Sequence, residues 1–371
     1  MRTQVAIVGA GLSGLYAAHL LLEAGVSCRL IESRDRIGGR ILSVGVGNRS
    51  DSSDTGDGPY DLGPAWIWPD MQPLVRSLVA ESGIASFAQH TDGHFLVERS
   101  RHEPPQRVAR GYETEPQSMR LAGGMRSLAH ALSSRLPPSS VQCNARVQRV
   151  CLDAAGGVCV EATGAAGPFA LQADAVILAL PPRRVSRSIQ FAPELPQATR
   201  RALDSVPTWM AAHAKVMAIY DQAFWRAQGY SGSASSNLGP LVEVHDATPV
   251  DGFPALFGFV GYTAAARRQI GPQDLQRLAV EQLVRLFGRD AAQPLAVHLC
   301  DWAADSDTAT PEDWLPPAGH PSYGPPPEVG DAWSRRLFLA GTEVAPYNGG
   351  YLEGALEAAA AAVDGYLQSA T

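Results

Sequence analysis

The sequence predicts an α/β protein. Its parts are a Rossmann-type nucleotide-binding domain (a parallel sheet with helices plus a small β-meander) and a smaller mixed α+β domain, both discontinuous along the chain. Three observations predict this. The apolar run Val5-Ala6-Ile7-Val8 enters the turn Gly9-Ala10-Gly11-Leu12-Ser13-Gly14, the strand–turn–helix order of a dinucleotide fold. A second strand pattern, residues 27–31, ends on the acidic Glu32, where a carboxylate accepts hydrogen bonds from ribose hydroxyls. The chain has 371 residues, more than one hydrophobic core usually supports.

Each residue of the turn has a physical task. Gly9 permits the tight turn, Gly11 lets the backbone approach a pyrophosphate, and Gly14 lets helix and strand pack closely. The helix is expected over residues 12–24, stopped by Gly25, with its positive end toward the phosphates. Residues 43–59, rich in Gly, Ser, Asn and Asp, read as a mobile surface loop. Helical patterns follow at 71–82 and, opened by Gly123-Gly124-Met125, up to about residue 135. Residues 87–119 are short, polar and strand-like. Residues 141–170 read as the meander, turning at Ala155-Gly156-Gly157. Residues 173–180 form a buried strand ended by Pro181-Pro182, and 214–220 a strand with mixed faces. Leu275, Ala279, Leu283 and Leu286 share one face of a helix with Gly288 just past its end. Residues 307–327 are a proline-rich ordered loop, 337–340 a strand and 352–367 an alanine-rich helix.

Composition narrows the function classes. The net charge is −7 and no Lys/Arg run occurs, which argues against nucleic acid and mildly favours cationic small molecules. No apolar run reaches the ~18 residues of a membrane span. The N-terminus enters a strand at once, without a signal-peptide pattern, so a cytoplasmic location is expected. The five cysteines are odd in number and contain no C-x-x-C, so no metal site is expected. Oligomeric state stays open. Lys215, in Ala-Lys-Val-Met-Ala-Ile-Tyr, shares a strand face with Met217 and Ile219, and a lysine on an apolar face needs a specific partner.

The run VAIVGAGLSGLYAA…IESRDRIGGR resembles the flavin-containing amine oxidases, the group that includes monoamine and polyamine oxidases. Four further segments resemble that family in the same chain order. They are Asp61-Leu62-Gly63-Pro64-Ala65-Trp66-Ile67; Leu121-Ala122-Gly123-Gly124-Met125; Ala214-Lys215-Val216 through Phe224-Trp225; and Phe338-Leu339-Ala340-Gly341-Thr342-Glu343 through Gly349-Gly350-Tyr351-Leu352-Glu353-Gly354-Ala355. The resemblance implies FAD, which spacing alone does not separate from NAD. It implies cofactor contacts from Gly9, Gly11, Leu12, Ser13, Gly14, Glu32, Ser33 and Arg34 at the nucleotide end. Contacts from Gly39, Arg40, Val147, Gly341, Thr342 and Glu343 are implied along the pyrophosphate and beyond. Toward the ring it implies Gly63, Pro64, Ala65, Trp66, Gly350, Tyr351, Leu352 and Ala355. The start of the last helix would stabilise negative charge on a reduced flavin.

The resemblance also implies a catalytic set. The lysine matching Lys215 holds a water at flavin N5, and Tyr351 matches one wall of an aromatic cage. Tyr323 or Trp302 is expected as the second wall. The family's flavin-bonding cysteine is missing from Ala318-Gly319-His320-Pro321-Ser322-Tyr323, so non-covalent FAD is expected. The region between Ile67 and Gly123 is shorter than in monoamine oxidases. An FAD domain is expected from residues 1–75, 121–205 and 325–371, and a substrate domain from 76–120 and 206–324. The implied reaction is oxidation of an amine by hydride transfer to flavin N5, with O2 giving hydrogen peroxide. The alternatives are an L-amino-acid oxidase, a desaturase or isomerase of the same fold, and a non-catalytic FAD scaffold.

Overall fold

The computed structural model describes residues 2–47, 60–111, 113–154 and 156–370. The short strands Val5–Val8 and Ala175–Leu178 are buried at every residue, which requires a sheet covered on both faces. Five parallel strands run in the order Leu337–Leu339, Ala175–Leu178, Val5–Val8, Cys28–Ile31, Val141–Gln142. Val5, Ile7, Ala175 and Ile177 face the helices Leu12–Glu23 and Leu352–Ala370. Leu15, Leu21 and Leu356 there are fully buried, each contributing about 1.5–3 kcal/mol. The alternate residues Ala6, Val8, Val176 and Leu178 face a four-stranded layer. That layer is the meander Ala145–Leu152, Val158–Gly164, Gly167–Ala173 with Gln190–Ala192 added in parallel.

A second large sheet has seven strands, ordered Ala296–Asp301, Ala214–Ile219, Ala255–Val260, Leu241–Asp246, Tyr230–Ser236, His94–Glu98, Gln106–Val108. One neighbouring pair, Tyr230–Ser236 with His94–Glu98, is parallel. The helix Pro272–Phe287 covers one face, laying Leu275, Ala279, Leu283 and Leu286 on Val216 and Ala218. The other face turns Met217, Ile219 and Phe257 toward Tyr60, Leu62 and Ala65. This contact joins the strand that carries Lys215 to the segment Asp61–Ile67.

Three expectations change, and one element is added after the expected strand end at Pro181-Pro182. The strand Ala214–Ile219 is buried at every residue, because helix and loop cover both of its sides. Ser43–Val44 is not loop but pairs with Tyr60–Asp61; residues 48–59 of the expected loop lie outside the described residues. Val141–Gln142 joins the parallel sheet beside Leu30 and Ile31 rather than the meander. Pro182 opens a helix, Pro182–Ser188, since proline suits a first helical turn. The turn expected at 155–157 is present in its described part, where the Gly156 and Asp153 amides bond the carbonyls of Asp153 and Gly157; Ala155 lies outside the described residues. Among the described residues, no helix is long and apolar enough to cross a membrane.

Candidate active site

A cavity of about 430 Å³ extends from the glycine turn to the strand Ala214–Ile219. At its nucleotide end the three glycines differ. Gly9 has φ +100°, and a Cβ there would lie 2.6 Å from the Ala179 carbonyl oxygen. A Cβ on Gly14 would lie 2.0 Å from the Gly9 oxygen, so this glycine serves helix packing and does not line the cavity. A Cβ on Gly11 would meet nothing closer than Gly39 Cα at 3.8 Å, and Gly11 is on the cavity wall. Its missing side chain leaves room for a ligand rather than for protein.

Glu32 ends the second strand, 3 % exposed, and also lines the cavity. One carboxylate oxygen accepts from the Ala10 amide at 2.7 Å and the other from the Arg34 amide at 2.9 Å, which fixes the carboxylate while lone pairs remain for a ligand. Arg34 is held by Asp305 at 2.7 Å and Thr308 at 3.0 Å. Arg40 pairs with the buried Glu343 through both oxygens, at 2.5 and 3.1 Å. Burial works against the Arg40 charge, yet Glu343 outweighs it and raises its pKa. Leu12, Ser13, Ser33, Gly39 and Val147 complete this end.

At the other end Lys215 lies on the cavity wall, 4 % exposed. Its ammonium donates to the carbonyls of Gly63 at 2.6 Å and Asp61 at 3.3 Å. It also sits over the Phe257 ring at 4.3 Å and Phe259 at 5.3 Å, a cation–π arrangement. Burial lowers its pKa to about 8, against the opposing pull of Asp61. Asp61 is itself buried, and burial raises its pKa although Ser43 and the Met125 amide bond it. Gly63, Pro64, Ala65, Trp66, Trp68, Phe259 and Trp302 form the surrounding wall.

Gly350, at φ +86°, packs under Trp209, where a Cβ would come within 3.0 Å of the indole. Its amide donates to Thr342 Oγ1 at 3.0 Å, and that hydroxyl donates to the Tyr351 carbonyl at 2.8 Å. These bonds fix the turn ahead of Leu352, so the helix start with its free amides faces the cavity through Leu352 and Ala355. An elongated cavity with a glycine floor, a fixed carboxylate at one end and an apolar aromatic wall at the other fits a dinucleotide carrying a planar ring.

A family profile described as flavin containing amine oxidoreductase matches residues 109–365, and one described as NAD(P)-binding Rossmann-like domain matches residues 7–82. The chain belongs to the flavin containing amine oxidoreductase family. This flavin amine oxidoreductase is similar to a Mycobacterium tuberculosis protein named as flavin-containing monoamine oxidase AofH, 27% identical over 95% of this chain and 94% of that one. It is 28% identical to an L-amino acid dehydrogenase of Synechocystis over 68% of this chain and 52% of that one. A putrescine oxidase structure bound to putrescine shares the fold, with a TM-score of 0.76 and 22% identity, covering 98% of this chain and 99% of that one. The chain is an FAD-dependent oxidoreductase that acts on amines.

The oxidoreductase brings most of the expected site residues to one cavity. Three are not on its wall: Gly14, which serves helix packing, and two that stand behind the cavity. Glu343 is the partner of Arg40 and is not on the wall. Tyr323 is not on the wall either: its hydroxyl donates to the Pro207 carbonyl at 2.8 Å and its side chain packs under Gly349. Trp302 is on the wall, its indole N–H directed at the Leu62 carbonyl, 3.4 Å away. Tyr351 is 41% exposed and stacks flat on His320 at 4.9 Å, while His320 also meets Trp209 at 4.5 Å. Sequence reasoning missed Trp209, Met210 and His213, which line the cavity from the segment just before Lys215. The available signal was position: His213 precedes Lys215 by two residues. Of the substrate-side arginines, Arg267 is buried and bonded to Asp301 at 2.6 and 2.8 Å and to the carbonyls of Tyr262 and Ala212. Arg268 lies over the Trp314 ring at 4.0 Å.

Proposed function

We propose that this flavin amine oxidoreductase oxidises apolar or aryl-alkyl primary amines and uses O2 as electron acceptor, giving an imine that hydrolyses to a carbonyl compound, and hydrogen peroxide. The observation that carries the substrate class is the aromatic end of the cavity. Trp66, Trp68, Trp209, Phe259, Trp302 and Tyr351 wall it, and the cavity arginines Arg34, Arg40, Arg146 and Arg184 belong to the other end. There Arg34 is paired with Asp305, Arg40 with Glu343 and Arg146 with Asp307. Recognition of an α-carboxylate normally takes a bidentate arginine; Arg40 extends as far as the Trp209 carbonyl, but both of its terminal nitrogens are taken by Glu343.

The bound flavin supplies the acceptor for a hydride equivalent from the carbon next to nitrogen. The protein supplies orientation and desolvation. Glu32 and the turn Gly9–Gly14 hold the nucleotide portion, Arg40 lies along the pyrophosphate, and Gly63–Trp66 with Gly350–Leu352 frame the ring. Lys215, anchored by two carbonyls, holds a water or O2 beside the ring, and Tyr351 orients the amine. Trp209 and Trp302 replace Tyr323 as opposing aromatic surfaces. In this reading the five-stranded half, residues 1–75, 121–205 and 325–371, binds FAD, and 76–120 with 206–324 bind substrate. The FAD is non-covalent, since neither a cysteine nor His320 lines the cavity.

Anaerobic stopped-flow mixing tests the substrate class. Phenethylamine should bleach the flavin faster than phenylalanine does, with peroxide appearing on return to air. Faster reduction by phenylalanine would overturn the amine reading in favour of an amino-acid enzyme. No reduction by either compound or by an aliphatic amine panel would leave a scaffold.

A further inference from the structure

The amine-oxidation reading leaves one chemical problem unassigned. A primary amine reaches the cavity as an ammonium ion, with a pKa of about 10 like that of lysine. Its α-carbon can lose a hydride equivalent only when nitrogen carries a lone pair. Neither Lys215 nor Tyr351 is placed to take that proton: the Lys215 ammonium already donates to Gly63 and Asp61.

His213 lies on the cavity wall between Trp209 and Lys215. Its Nδ1 is buried without a hydrogen-bond partner, and Nε2 makes no hydrogen bond to protein among the described residues. A buried polar atom left unpaired costs about 1–3 kcal/mol, and here it belongs to a ring on the cavity wall. His19, His90 and His298 also carry a buried ring nitrogen without a partner, but of these four histidines only His213 lines the cavity. The backbone around His213 is fixed on both sides. Its amide bonds the Met210 carbonyl, its carbonyl accepts from the Trp302 amide, and the neighbouring Ala212 carbonyl accepts from Arg267 at 2.8 Å. The ring is therefore positioned by the chain, with the Met210 carbonyl beside it.

We propose that His213 is a catalytic residue, the base that accepts the proton of the bound ammonium substrate; this rests on the amine reading above. One ammonium N–H bond breaks and one imidazole N–H bond forms, leaving a neutral amine and an imidazolium, and the proton then leaves to solvent through the cavity mouth. The electrostatics agree. Burial lowers the His213 pKa, the Arg267 cation lowers it further, and the Met210 carbonyl opposes them, which favours the neutral ring that can act as an acceptor. The facing charges are Lys215 on its own strand segment, the Arg267–Asp301 pair behind it, and the Arg40–Glu343 pair, whose arginine donates to the Trp209 carbonyl at 3.4 Å. The Lys215 and Arg267 cations and the apolar wall also disfavour a bound ammonium, lowering the substrate's own pKa toward that of the acceptor.

The test uses FAD-loaded wild type, His213→Gln and His213→Ala. In His213→Gln the rate of anaerobic flavin reduction by saturating phenethylamine at pH 7 should fall roughly 10²-fold. It should then climb with pH as free amine replaces ammonium, where wild type levels off. Added imidazole should restore His213→Ala, a response that a merely structural histidine would not give. A second readout needs no turnover. Cumylamine has no α-hydrogen, and its binding can be followed by calorimetry in buffers of different ionisation enthalpy. Wild type should release about one proton per amine bound, because the imidazole passes it to solvent, and His213→Gln almost none, because its bound amine stays an ammonium. Unchanged reduction rates, an unchanged pH profile and equal proton counts in both proteins would overturn the proposal. A wild-type flavin that no amine reduces would instead overturn the amine reading itself, while the cumylamine proton count would still decide the role of His213.

Discussion

Lys215 concentrates the redox side of the site in one amino group. Its charge is kept in an almost fully buried position by two backbone carbonyls and an aromatic ring, and burial leaves its pKa at about 8. Lys215→Met should retain FAD, since the group is at the ring end of the cavity, yet slow turnover by roughly 10²-fold. Reductive and oxidative half-reactions measured separately would identify the affected step. The lysine is charged below about pH 8 and neutral above it. If its charge assists the O2 step, wild-type reoxidation should fall as pH rises through that value, while Lys215→Met stays flat across it. A flat wild-type curve would remove the charge from the mechanism. Glu32 plays the corresponding part at the nucleotide end. Glu32→Ala strips acceptors from the Ala10 and Arg34 amides as well as from the ligand, so both stability and FAD retention should drop. Glu32→Gln keeps one acceptor oxygen and should lose mainly FAD retention. Equal FAD content in all three proteins, measured by absorbance after gel filtration, would contradict this placement.

Helix ends set the geometry at the level of elements. The helix Pro73–Glu81 has no side-chain cap of its own. The buried Glu353, in the first turn of the last helix, accepts from the Leu74 and Val75 amides at 2.9 Å each. One carboxylate thus joins two helix N-termini, and both fields favour its negative charge. Glu353→Ala should cost about 1–2 kcal/mol, the scale of a lost N-cap, seen as a lower unfolding midpoint. An unchanged midpoint would mean water caps the helix equally well. Legibility in sequence followed the same physics. Val5–Val8, the helix Leu12–Glu23 and the helix Pro272–Phe287 were readable because their apolar residues repeat with the period of the element and glycine ends the helices. The strand Tyr230–Ser236 was not. Its Ser231, Gly232, Ser233 and Ser236 mimic a loop, yet they are buried, with Ser231 bonded to the His94 carbonyl and Ser236 to Glu98. Small polar residues satisfied by a neighbouring strand leave no periodic trace in one sequence. Of the site, the motif residues were legible. Trp209 and His213 were not, because their place on the cavity depends on how the strand Ala214–Ile219 packs against the segment Asp61–Ile67.

The cavity gives the whole molecule its dependence on cofactor. Its wall takes residues from the parallel sheet, the meander, the seven-stranded sheet and the last helix: Val8, Val147, Lys215 and Ala355 are one from each. FAD bound there would join elements that otherwise meet through the contact of Met217 and Phe257 with Tyr60 and Leu62. Anything that binds only the folded state stabilises it by RT ln(1 + [L]/Kd), about 2.7 kcal/mol at a hundredfold excess over Kd. Protein stripped of FAD at high salt and mild acid should therefore unfold at a lower temperature, and added FAD should raise the midpoint in a concentration-dependent way. The same non-covalent attachment requires that acid precipitation leave the yellow colour in the supernatant. Colour retained in the pellet would mean a covalent link, with His320, stacked on Tyr351, the residue to examine by peptide mapping. A midpoint that ignores added FAD while the colour stays in solution would mean that FAD binds without coupling the two sheets, and that direct contacts such as those of Met217 with Tyr60 and Lys215 with Gly63 hold them together without it.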